Sequence, residues 1–156
     1  MRTIHWIVVA STLLLWGCAG APEPEQPAAA AQPAFKPVGT VMQIMEAVVI
    51  PSANAIWNVP AEAPKSDEEW TSVRNSALAL AEAGNLLMIG DRAKDQDAWM
   101  RASQVLVDAG TTAFRAAEAK NLDAITAAGD AIYNSCEGCH MQYPPTTAGG
   151  GESQGQ

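Results

Sequence analysis

The sequence is short of histidine, cysteine and basic residues. It has two His, three Cys and nine Lys and Arg in 156 residues. Of the two histidines, His5 lies in an apolar leader, so a mature chain would keep His140 alone. That excludes a bis-histidine metal or haem site within one molecule. No Ser–His–Asp arrangement, no paired acid/base constellation and no Gly-rich phosphate loop can be traced, so the chain does not read as an enzyme. The basic residues are outnumbered by 17 Asp and Glu, for a formal net charge of −8. Such a surface repels nucleic acid and anionic lipid headgroups, and favours protein partners of complementary charge. No stretch alternates as a strand does, which leaves helix as the organising element.

The two ends are set apart by composition. Arg2 followed by the apolar run Ile4–Trp16 reads as an export signal over 1–17, too short for an ordinary membrane span. The signal ends Leu15-Trp16-Gly17-Cys18, which resembles a bacterial lipobox. Cys18 is then the lipidated first residue of the mature chain. Ala19 rather than Asp after it favours the outer membrane if the host is Gram-negative, with the domain on the periplasmic side. Residues 18–37 carry Pro22, Pro24, Pro27, Pro33 and Pro37 and read as a disordered, lipid-anchored tether. Residues 144–156, Pro-Pro followed by Gly and Gln, read as a disordered tail. The folded domain is expected over 38–143.

Four helices are expected there. The first begins at Val41 behind a Thr40–Gln43 capping box, with Met42, Met45 and Val49 on one face. Pro51 is expected to kink or break it near Ile50. Ile56 and Trp57 are expected in the core. The second begins at Ser66, with Glu69 completing a capping box, and buries Trp70, Val73, Ala77, Leu80, Gly84 and Leu87. The third starts at Asp95 or Asp97 and carries Trp99, Leu106, Ala109, Ala113 and Ala116. The fourth starts at Asn121 and presents Leu122, Ile125, Ile132 and Cys136. Short connections between amphipathic helices predict an all-α, antiparallel four-helix bundle. Its core is rich in Ala, with Gly84, Gly110 and Gly129 inside helices. Small residues there mean either close helix packing or room for a large group.

The chemistry-bearing motif is Cys136-Glu137-Gly138-Cys139-His140. C-x-x-C-H is the haem c attachment pattern. Two thiols three residues apart reach the two vinyl groups on one porphyrin edge, and the adjoining His stands under the iron as axial ligand. A closed zinc shell needs a fourth donor that no other His or Cys supplies. A thioredoxin-like dithiol belongs at the start of a helix beside a βαβ unit, not at the end of the last helix.

With the motif closing the fourth helix and Tyr143 three places on, the chain resembles the class II cytochromes c, the cytochrome c-prime family. The resemblance covers about residues 38–143. It implies one covalent haem c and its iron near the C-terminal helix, held by Cys136, Cys139 and His140. It also implies a distal residue on the first helix: Met45 first, Met42 second, or an open site. Relatives of this class often form homodimers. Members often carry a basic residue just after the aromatic, where this chain has Pro144 and Pro145. The implied function is one-electron transfer to redox protein partners by Fe(III)/Fe(II) cycling. The alternative is binding of NO or CO at an open distal site.

Overall fold

In a computed structural model, residues 35–145 are described. The signal, Cys18, most of the tether and the tail beyond Pro145 lie outside them. The described chain is all-helical, with four helical rods compatible with a bundle and no strand. The first rod is continuous but changes pitch. α1 (Val41–Ile44) passes into a π-helical turn, Met45–Val49, and then into α2 (Ile50–Trp57). The others are α3 (Asp67–Leu87), α4 (Ala98–Glu118) and α5 (Leu122–Gln142). A short 3₁₀ turn, Gly90–Arg92, precedes α4.

The helix starts are dictated locally. Thr40 Oγ1 accepts from Gln43 N–H at 3.2 Å, while Thr40 N–H donates to Gln43 Oε1 at 2.9 Å. Ser66 and Glu69 form the same reciprocal pair. Asn121 Oδ1 accepts from Ala124 N–H at 3.0 Å. Each satisfies amide donors that a helix leaves orphaned at its first turn. At α4 it is Asp95 that does this work: its Oδ1 accepts from Asp97 N–H at 2.8 Å and Trp99 N–H at 3.0 Å, whereas Asp97 makes no cap bond.

Pro51 does not break the first rod. It occupies the first turn of α2, and the π-turn lies directly before it, closed by Ile50 N–H on Met45 C=O. A proline ring crowds the carbonyl four residues back and lacks an N–H. Widening the preceding turn by one residue relieves both without ending the helix.

α3 lies against α4, α4 against α5, and α2 bridges α3 and α5. The core is centred on Ile56, Val59, Leu80, Ile125 and Ile132, all essentially without exposure. The helical glycines serve close approach. A Cβ on Gly84 would lie 2.6 Å from Val107 Cγ2 and 2.9 Å from Ser103 O; one on Gly110 would lie 2.7 Å from Ala81 N. α3 and α4 therefore meet nearly backbone to backbone. Trp99 is buried and its indole N–H donates to Leu87 C=O at 2.8 Å. Arg92 is buried too, donating to Gly39 C=O at 2.8 Å and Leu86 C=O at 3.1 Å, so it ties the approach to α1 to the end of α3. Trp57 and Leu122 depart from their expected burial, at 38% and 41% exposed. Trp70 is half-buried at the core's edge. None of the helices among the described residues is long and apolar enough to cross a membrane.

Candidate functional site

The cysteine-histidine motif occupies the last turns of α5. Cys136 and Cys139 are half-buried and three residues apart; His140, one turn after Cys136, is exposed. Neither cysteine is in a disulfide. All three line a cavity of about 400 Å³. Tyr133, Ser135 and Glu137 continue the α5 wall. The first rod contributes Met45 and Val49 from the π-turn and Ile50, Ala53 and Trp57 from α2. Leu87 of α3 and Ala102, Ser103 and Leu106 of α4 complete the lining, which is predominantly apolar. Small side chains at 53 and 102 leave the space, while the glycines of α3 and α4 spend theirs on packing.

The fold separates the two methionines of the first rod. Met45 lines the cavity. Met42, on α1 before the π-turn, lines a depression with Pro37, Arg92 and Lys94. Met88, Met100 and Met141 do not reach the cavity, and Met141 is 80% exposed. Trp57, expected in the core or against the porphyrin, stands at the cavity's edge. Its indole N–H donates to Gly129 C=O at 2.9 Å, and its ring meets Tyr133 edge-on with centroids 6.4 Å apart.

No family model matches this chain, and neither a curated protein nor a solved structure matches it.

The electrostatics of the motif are those of neutral thiols. Burial pushes the Cys136 thiol up, and the neighbouring Cys139 adds to the rise; burial pushes Cys139 up as well. The negative end of the α5 dipole also stands here, which disfavours a thiolate. Redox dithiols depend on the opposite, a thiol acidified at a helix N-terminus. Among the described residues, no three His, Cys, Asp or Glu converge to hold a metal ion by themselves.

One residue beyond α5 a clasp closes the motif. Tyr143 N–H donates to Cys139 C=O at 2.9 Å, and the phenol O–H donates to Asp95 Oδ2. The Tyr143 ring stands edge-on to Trp99 with centroids 5.0 Å apart. The phenol holds the Asp95 carboxyl below its ordinary range, aided by the Trp99 amide, and Asp95 in turn raises the phenol. Asp95, which caps α4, thereby also fastens the end of α5. The sequence offered Asp95 only as a helix start; its second partner is 48 residues away.

Proposed function

We propose that the chain is a c-type cytochrome of the class II kind: an antiparallel four-helix bundle that carries one haem c and transfers single electrons. The observation that carries the reading is the shared cavity. The Cys136-x-x-Cys139-His140 wall and the Met45 wall face one apolar space. The donor set fits the group. Cys136 and Cys139 would hold the porphyrin edge through thioethers, and His140 and Met45 would supply the two iron ligands. The haem supplies the Fe(III)/Fe(II) couple. The protein's own part is to keep both ligands in place and water out, so that coordination changes little between oxidation states. A thioether favours Fe(II) and raises the potential.

Val49, Ala53 and Leu106 form the dry walls. The Asp95–Tyr143–Trp99 clasp fixes the helix end that carries His140. The leader and Cys18 support export and lipid anchoring on the periplasmic side, the outer membrane being the better fit after Ala19 if the host is Gram-negative. Redox proteins of complementary charge are the partners.

The test is expression of the full chain with the haem c maturation machinery, followed by haem staining of a denaturing gel and spectra with and without carbon monoxide. Haem should survive denaturation, and the ferric spectrum should be low-spin. Haem that extracts into acidic organic solvent rules out covalent attachment. A high-spin ferrous form that takes up carbon monoxide at once assigns the protein to gas binding.

A further inference from the structure

We infer that the face built by the first rod and α5, around the edge of the cavity, is a docking surface for a protein partner with a basic patch around an apolar centre. The inference rests on the cytochrome reading and says where the electron leaves.

One sign of charge runs along the first rod and α5. Residues 41–57 and 122–142 contain no Lys or Arg. They contain Glu46, Asp123, Asp130 and Glu137, all exposed. On α5 the last three recur every seven residues, so they form one stripe along the helix. Tyr133 stands between Asp130 and Glu137 at helical spacing, and it lines the cavity together with Glu137. On the first rod, Glu46 stands one turn before Ile50, which also lines the cavity. α3 and α4 instead carry both signs, with Arg74 among four acids on α3 and Arg101 and Arg115 among two on α4. Arg101, next to the cavity-lining Ala102, is ion-paired with Asp97.

Within this acidic frame lies an apolar centre. Ile50 is 52% exposed, Trp57 38% and Tyr133 56%, and the two rings touch. Such large side chains in water around a cavity edge, framed by charge of one sign, have the anatomy of an interface core and its rim. The frame selects the occupant. A second copy of the chain would oppose acid to acid, and an anionic membrane would be repelled. A lysine- or arginine-rimmed protein is attracted over a Debye length and oriented on approach. The apolar centre then brings its redox group to the cavity edge, which shortens the path to the haem.

The experiment mixes the reduced, haem-loaded full chain with a ferric mitochondrial-type cytochrome c, a lysine-rich redox probe, in a stopped-flow instrument. One electron passes from Fe(II) of the chain to Fe(III) of the probe. The second-order rate constant should fall at least about tenfold between low and high salt. Asp130→Lys/Glu137→Lys should lower the low-salt rate by about the same factor and flatten the salt dependence. Asp130→Asn, a milder change, should fall between. Tyr133→Ala should slow the reaction while keeping the salt slope. Glu68→Lys/Glu82→Lys, an equal charge reversal on α3, should leave the rate within about twofold. A coloured protein whose rate ignores salt, or responds to Glu68→Lys/Glu82→Lys as strongly as to the α5 reversal, overturns the docking face alone. A colourless protein overturns the docking face and the cytochrome reading together.

Discussion

Met42 and Met45 are three residues apart on one rod, yet only Met45 reaches the cavity. On the cytochrome reading, Met45→Ala should leave haem attachment intact, convert the ferric spectrum from low-spin to high-spin and open the ferrous form to carbon monoxide. Met42→Ala should alter the spectrum little. The glycines make a graded series that stability measurements can read. Gly110→Ala sets a methyl 2.7 Å from a backbone nitrogen of α3, which no rotamer change relieves, and should cost about 1–3 kcal/mol. In Gly129→Ala the methyl lies 3.3 Å from the Trp57 ring, which is at the surface and can yield, so the loss should be smaller. Gly138→Ala meets nothing within 4 Å and should be neutral or gain up to ~1 kcal/mol from helix propensity. Chemical denaturation midpoints would rank the three, and equal losses would contradict the packing described.

Among the elements, the π-turn sets the site. Met45 opens it and Pro51 stands just beyond its end. Pro51→Ala restores a donor and removes the ring, so the turn is free to tighten into ordinary α-helix and Met45 to rotate with it. The expected result is a weakened thioether-to-iron charge-transfer band with haem still attached; an unchanged band would show that packing, not the proline, holds the turn. The clasp at the other helix end has a pH signature. Asp95 is depressed by its phenol bond, so its contribution is present above the ordinary carboxyl range and is lost as pH falls through the lowered folded value, below about pH 4. Tyr143 is raised, so its contribution is present below the ordinary phenol value and is lost as pH climbs from about 10 through the raised one. Melting temperatures across pH should fall at both extremes. Asp95→Asn should flatten the acid limb and Tyr143→Phe the alkaline limb.

At the scale of the whole molecule, the bundle has a dense half and an open half. α3 and α4 meet at glycines, while the space between the first rod, α4 and α5 stays at about 400 Å³. An apolar void of that size forfeits contacts on every wall. If the proposed haem fills it, a Cys136→Ala/Cys139→Ala chain should melt roughly 5–10 °C below the haem-loaded wild type, corresponding to about 1–2 kcal/mol. Calorimetry of the two forms checks this. Equal melting temperatures would mean that the cavity closes on its own and that nothing of this size belongs in it.

The sequence by itself determined what depends on neighbours along the chain. The capping boxes at Thr40 and Ser66 and the Asn121 cap lie within one turn of the groups they satisfy, so local composition suffices to read them. The apolar steps of α3, from Val73 to Leu87, follow helical period, and the motif carries its chemistry in five consecutive residues. What only the tertiary structure decided depends on approach between distant segments. Composition allowed Gly84 and Gly110 either to pack or to make room, and the α3–α4 contact decides for packing. Residue type leaves Trp57 either in the core or against a bound group, and the bond from its indole to Gly129 C=O across the α2–α5 contact holds it at the cavity edge. Pro51 reads as a kink or a break because proline cannot donate within an α-helix, and the fold answers with a π-turn before it. Proline chemistry explains the turn, but only the packing of the rod against its neighbours shows that Met45, and not Met42, lines the cavity with the cysteine-histidine motif.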